Sequence, residues 1–118
     1  MALDPTLITL VDDAGAVPKA PTYIIRIAVP GDAAYSGTTG MENFSTTLLQ
    51  APAIDRRRWT ILDVKGYSID GAGVITHLVR YDKDADALHL NLITDGSVLG
   101  AGPTDLSALT FDLTIFAD

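Results

Sequence analysis

The most constraining feature of the sequence is the alternation of apolar and polar residues close to its C-terminal end. Between residues 109 and 115, every odd position is a large apolar residue and every even position is Thr or Asp. Successive side chains of a β-strand point to opposite faces of a sheet, so this period of two predicts a strand with one buried face. The residues of that face are Leu109, Phe111, Leu113 and Ile115.

Similar strand patterns occur along the rest of the chain, separated by clusters of Gly, Pro, Asp and Ser. The candidate strands are 6–11, 23–29, 44–49, 59–69, 74–81 and 87–94. Within the segment 44–49 and the residue after it, Leu48-Leu49-Gln50 could instead form one helical turn. Six or seven strands with turn clusters and two longer connections, at 31–42 and 95–107, favour an all-β fold. We expect an antiparallel β-sandwich or a jelly-roll-like barrel of six to eight strands.

Strand register can be predicted around the longest candidate strand, 59–69. Gly66 lies where the apolar positions of this strand change parity, which predicts a β-bulge at that residue. A tight turn at 70–73 would join the strand to the next one in a hairpin. A two-residue loop in that turn would place Asp63 opposite Arg80 as a cross-strand ion pair.

Length and composition predict one domain. The chain has 118 residues, of which 47% are hydrophobic and 19% are charged, so it can bury one real core. We expect residues 1–118 to form a single β domain, with 1–20 as a candidate extended N-terminal arm. Pro18 and Pro21 favour extended backbone in this segment.

The charge balance excludes several classes of partner. The formal net charge is −7, which repels phosphate backbones and anionic membrane surfaces, so we expect no nucleic acid and no membrane partner.

The absence of cysteine excludes disulfides and thiolate chemistry. The first five residues contain no basic segment followed by an apolar run, so we expect synthesis and folding in a cytoplasm.

Two clusters could in principle hold a metal ion. Asp82, Asp84 and Asp86 have the alternate spacing of calcium loops, but Ala87 and Ile93 stand where an EF-hand needs Gly and Glu, so a solvated turn is expected. Pairing of Tyr81 with Ala87 would place His77 and His89 diagonally on one face of a hairpin. A third ligand is not evident in the sequence. We therefore expect no metal and no cofactor.

Catalytic motifs are also missing. The sequence has no G-x-S-x-G, no phosphate-binding loop and no dinucleotide fingerprint, so we expect no enzyme activity.

The strongest local feature of this acidic chain is the run Arg56, Arg57 and Arg58. Guanidinium groups bind carboxylates through paired hydrogen bonds, so this run is a candidate docking patch; a solvated loop is the alternative.

Several segments together resemble the small decoration, or cement, proteins of tailed-bacteriophage heads. They are the extended opening Met1–Leu10, the Gly/Thr/Ser loop Tyr35–Gly40 and a final strand that runs almost to Asp118. The resemblance implies a non-enzymatic, β-rich structural protein of the virion. Such a protein would stabilise the capsid by contacts with the major capsid protein and with its own copies, as a homotrimer.

Under that resemblance the termini and the two long loops would make the contacts, not the sheet faces. The N-terminal segment could add a strand to a neighbour's sheet, with Leu3, Thr6 and Ile8 as contact residues. Arg56, Arg57 and Arg58 would bind an acidic surface of the partner.

A second hypothesis is a carbohydrate- or receptor-binding β-sandwich module, such as the tip of a tail fibre. Sugar-binding surfaces usually expose aromatic rings. The candidate rings are Tyr35, Trp59, Tyr67 and Tyr81. Exposure of several rings on one face would favour this hypothesis.

Overall fold

The computed structural model describes residues 3–16, 23–54, 60–100 and 102–118, with the backbone alone for 12–16. Within these ranges the chain forms six strands and two short helices. The strands are β1 (Thr9–Ala16), β2 (Tyr23–Pro30), β3 (Ile61–Ile69), β4 (Ile75–Asp82), β5 (Ala87–Leu92) and β6 (Thr110–Ala117). The helices are the 3₁₀ turn Pro5–Leu7 and α1 (Phe44–Gln50). The prediction of an all-β fold is confirmed. The predicted strand 44–49 is wrong, because these residues belong to α1, which is longer than the single turn considered at 48–50.

All six strands belong to one antiparallel sheet, with the order β1-β2-β6-β3-β4-β5. The last strand in sequence lies near the centre, between β2 and β3. Its alternation is realised in the structure, because Phe111, Leu113 and Ile115 are completely buried. A strand with neighbours on both sides and one covered face gives the strictest period of two.

The chain covers one face of this sheet with its own helix and long connections instead of a second sheet. Tyr35 and Met41, from the connection 31–43, are completely buried. Leu106, from the second long connection at 95–107, is also buried. Phe44 and Leu48 of α1 join the same apolar cluster. The expectation that the long loops present a surface is therefore wrong in part: the sheet must bury one apolar face, and these loops supply the second layer.

The N-terminal segment is part of the sheet within the described range. Leu3 and Ile8 belong to the core, and the Asp4 carboxylate caps the 3₁₀ turn by accepting from the Thr6 amide at 2.9 Å. Strand β1 then pairs with β2, with Thr9 opposite Ala28. The described part of the candidate arm 1–20 is thus tied to the domain by packing and by strand pairing.

The predicted bulge at Gly66 is wrong. The irregularity of β3 against β6 lies between Ile61 and Asp63, whereas Gly66 pairs regularly with Leu113. A Cβ atom at Gly66 would overlap the carbonyl oxygen of Asp112 and lie 2.9 Å from a methyl carbon of Leu113. Glycine is required here by the close approach of two strands, which changes no side-chain parity.

Both predicted hairpin registers also differ from the structure. Lys65, not Asp63, lies opposite Arg80, because β3 and β4 have an irregularity next to Ser68 and a longer turn. In the following hairpin Tyr81 lies opposite Leu88, one residue beyond the predicted Ala87. A shift of one residue moves every side chain to the other face, so these small errors change which residues meet.

Candidate functional site

The candidate site is the face of the sheet opposite the core, which we call the open face. Strand alternation places on it the polar positions of β6 and their neighbours across the sheet. Large apolar side chains also lie there: Leu78 is 48% exposed and Ile75 is 42% exposed. Contiguous exposed apolar surface marks interaction sites, so Leu78 and Ile75 make this face a candidate for one.

A continuous row of polar side chains crosses the open face at right angles to the strands. Arg26 of β2 lies opposite Thr114 of β6, and Thr114 lies opposite Lys65 of β3. Lys65 lies opposite Arg80 of β4, and Arg80 lies opposite His89 of β5. These five residues form what we call the basic row. With a strand spacing of about 4.8 Å, the row extends over about 19 Å.

The basic row concentrates positive charge in an acidic chain. The sequence has eight Lys and Arg residues, and four of them lie in the described ranges. Three of those four are Arg26, Lys65 and Arg80, and the fourth is Lys83 in the β4–β5 turn. The Lys and Arg side chains of the described ranges are therefore concentrated on the open face.

One end of the basic row is neutralised within the chain. The Arg26 guanidinium donates to both carboxylate oxygens of Asp112, with 2.8 Å between Nε and Oδ1, and the Tyr67 hydroxyl also donates to Asp112 at 3.4 Å. The hydrogen bond from Arg26 lowers the pKa of Asp112, and Asp112 raises the pKa of Arg26. This planar, two-point pair fixes the Arg26 end of the row.

The centre of the row is not neutralised. Arg26 forms an ion pair with Asp112, whereas neither Lys65 nor Arg80 forms one with a carboxylate of the described residues. Their strands nevertheless place the two cations directly opposite each other. Like charges in this position are destabilising, so the pair is a local cost to the folded chain.

Three shallow recesses on the open face share Lys65 in their lining. The first contains Arg26, Tyr67 and Thr114, and the second contains Leu78 and Arg80. The third is lined by Leu62, Asp63, Lys65 and Phe116. Lys65 thus lies beside apolar side chains in two of the recesses, Leu78 in one and Leu62 and Phe116 in the other. A partner that reaches it there would also contact apolar surface.

The predicted contact residues do not converge on this face. Leu3 is 4% exposed and Ile8 is 2% exposed, so both are core residues and neither offers its side chain to a partner. Thr6 is exposed and hydrogen bonds to Asp4. Arg56, Arg57 and Arg58 lie outside the described residues. Their role as a docking patch stays a prediction.

The two histidines lie on opposite faces of the sheet. His77 points into the core, where its Nδ1 atom is 3.0 Å from the Ser68 hydroxyl and 2.9 Å from the Thr76 hydroxyl. Burial lowers the pKa of His77. His89 lies in the basic row, so the predicted diagonal pair is wrong. No group of three potential metal-ligating side chains occurs within the described ranges.

The turn at 82–86 has a structural role. The Asp86 carboxylate accepts from the backbone amide and hydroxyl of Ser45 and from the Tyr81 hydroxyl at 2.8 Å. It thereby joins the first turn of α1 to β4. Asp82 accepts from the amides of Asp84 and Ala85 and shapes the turn. Two of the three carboxylates that suggested calcium thus already serve the fold.

Comparison of the chain with protein-family models, with curated proteins and with solved structures found no match. The helices within the described ranges are all too short to cross a membrane.

Proposed function

We propose that this chain is a non-enzymatic decoration, or cement, protein of a tailed-bacteriophage head. It would act in the virion and stabilise the particle by contacts with the major capsid protein and with its own copies. The observation that carries the proposal is the contrast between the two faces of the sheet. One face is sealed by the chain's own loops and helix, while the open face leaves Leu78, Ile75 and the basic row available.

The edge of the sheet supports a second contact. Leu10 and Val11 of β1 are 42% and 48% exposed, and β1 is the outermost strand on its side of the described sheet. An edge strand has unpaired backbone groups that can pair with a strand of another chain. A face and an edge that point in different directions suit a protein that touches both a capsid and its own neighbours.

The aromatic side chains give less support to the carbohydrate- or receptor-binding alternative. Tyr35 is completely buried, and its hydroxyl accepts from the Leu90 amide at 3.1 Å. Tyr81 packs inward against Phe44, with 6.2 Å between ring centroids. Among the candidate rings that the structure describes, Tyr67 is the one on the open face, and it is held by Asp112. Trp59 lies outside the described residues. Within the described ranges, one anchored ring gives weak support to a sugar platform.

The test is binding of the purified chain to expanded heads of the tailed phage whose genome carries the gene, measured by co-sedimentation. Leu78→Glu should abolish binding, because it puts a charge at the centre of the apolar surface. Leu49→Glu is the matched control: Leu49 lies on α1, over the covered face, and is 42% exposed. Binding that is equal for both variants, or absent for the unmodified chain, would refute the proposal.

The oligomeric state gives a second measurement. The proposal includes a homotrimer, so the mass of the chain in solution, measured over a range of concentrations, should approach three times 12.5 kDa. Val11→Asp at the edge strand should shift the mass towards the monomer. A chain that stays monomeric at every concentration and on the particle would contradict contacts between copies.

A further inference from the structure

The proposed docking does not by itself specify what would contact Lys65 and Arg80, the unneutralised centre of the basic row. We infer that Lys65 and Arg80 bind carboxylates of an acidic protein segment supplied by the partner. The inference rests on the proposed function, since it names the chemistry of the surface against which the open face would dock. It can be tested without a particle.

The charges around Lys65 and Arg80 favour a carboxylate ligand. The chain has 15 Asp and Glu residues, yet none within the described ranges pairs with Lys65 or Arg80. The neighbouring Arg26 has a carboxylate from its adjacent strand. A partner carboxylate between Lys65 and Arg80 would relieve the repulsion between the two cations as well as form new hydrogen bonds. Binding of an anion is therefore favoured by the way the strands align the pair.

The recesses beside Lys65 are lined by both apolar and charged side chains. Leu78 and Phe116 border the recesses on the two sides of Lys65. A ligand that fits both the charges and these depressions must carry carboxylates next to apolar side chains. A protein segment with alternating acidic and apolar residues has this composition. Arg80 can take a carboxylate through two parallel hydrogen bonds, which Lys65 cannot do.

Nucleic acid fits the same surface less well. Binding to a phosphate backbone depends on several cations that displace counterions together. Here Arg26 is already paired with Asp112, which leaves two Lys or Arg side chains free in the row. The net charge of −7 also opposes the approach of a polyanion. A short acidic segment, by contrast, needs the two charges that are available.

The test is a titration of the isotope-labelled full chain, followed by NMR, with a short peptide in which Glu alternates with Leu and Thr. The amide signals of Lys65, Arg80 and Leu78 should shift at low salt. Replacing each Glu of the peptide with Gln should remove the effect. Lys65→Gln and Arg80→Gln should each weaken binding roughly threefold to fivefold, the loss typical of one partly exposed ion pair.

The matched control is Lys83→Gln, which removes the same charge from the chain at the one described Lys or Arg outside the row. It should leave peptide affinity nearly unchanged, and the amide spectra should show that all three variants remain folded. Equal losses for Lys83→Gln and Arg80→Gln would overturn the inference, because a general charge effect would then be sufficient. Tighter binding of single-stranded DNA than of the acidic peptide would also overturn it.

Two outcomes separate this inference from the proposed function. If the peptide does not bind but Leu78→Glu still abolishes particle binding, the docking face stands and the acidic partner is wrong. If the peptide binds through Lys65 and Arg80 but the chain does not bind phage heads, the acidic ligand stands and the decoration function falls. Self-association that Arg80→Gln abolishes would identify a second copy as the occupant and overturn the separate partner.

Discussion

Replacing Asp86 with alanine should strongly destabilise the domain. The carboxylate of Asp86 joins two elements that are far apart in sequence, through Ser45 at the start of α1 and Tyr81 in β4. Alanine would leave the Ser45 amide and the Tyr81 hydroxyl without their acceptor in a part-buried site. The backbone of Asp86 also has a φ of 51°, a left-handed conformation that alanine adopts poorly.

The magnitude follows from these contributions. A hydrogen bond to a charged group contributes about 1.5–3 kcal/mol, and the bonds share one acceptor and are therefore not additive. With a further cost of about 1 kcal/mol for the left-handed backbone, we expect Asp86→Ala to lower the free energy of unfolding by about 3–4 kcal/mol. This is a large part of the roughly 5–15 kcal/mol that stabilises an ordinary domain.

Urea denaturation followed by circular dichroism measures the change, with two variants as controls. Asp86→Asn keeps a side-chain acceptor and tolerates the left-handed backbone, so it should lose about 1 kcal/mol, the usual worth of one hydrogen bond. Asp84→Ala removes an exposed carboxylate in the same turn and should change stability by less than about 0.5 kcal/mol. An Asp86→Ala variant within that margin of the unmodified chain would refute the reasoning, as would an equally large loss in Asp84→Ala.

Three other predictions follow from buried or paired groups. Gly66→Ala should lower the free energy of unfolding by about 2 kcal/mol or more through overpacking, whereas Gly71→Ala, which meets no atom within 4 Å, should be nearly neutral in urea denaturation. The pKa of Asp112 is lower in the folded chain than its unfolded value of about 3.9, so Asp112 stabilises the fold above that pH, and this stabilisation is lost as the pH falls through the folded pKa. Thermal unfolding measured from pH 7 to pH 2 should show this loss in the unmodified chain. Asp112→Asn should not show it. Burial lowers the pKa of His77 in the folded chain, so between the two pKa values the unfolded chain binds a proton that the folded chain does not. The free energy of unfolding should therefore fall as the pH drops below about 6.5. His77→Gln should remove this pH dependence, and His89→Gln should retain it.

Local patterns in the sequence predicted the strands well because a half-buried strand must alternate. The final strand and Tyr23–Pro30 lie where the apolar residues predicted them, and Arg26 faces away from the buried side as expected. The same reasoning failed for the loop Tyr35–Gly40. Its Gly, Ser and Thr content predicted a surface loop, but Tyr35 inserts fully into the core. Composition does not show which single side chain of a loop covers a sheet.

No local pattern in the sequence indicated the candidate site. Arg26, Lys65 and Arg80 each occupy a polar position of a strand, and nothing in the sequence around them differs from an ordinary solvated face. They form one row only because β6 lies between β2 and β3 and because three registers coincide. The predicted pairing of Tyr81 differed from the observed one by one residue, and a shift of that size would place the same charges on different faces.

The sequence by itself therefore determined the class of fold, the buried faces of β2 and β6, and the acidic character of the chain. These follow from the period of two and from composition, which are properties of neighbouring residues. The order of the strands, their registers, and the covering of one face by Tyr35, Met41 and α1 were decided by the tertiary structure. They depend on which distant segments bury each other's apolar surface, and that also decides where the basic row lies.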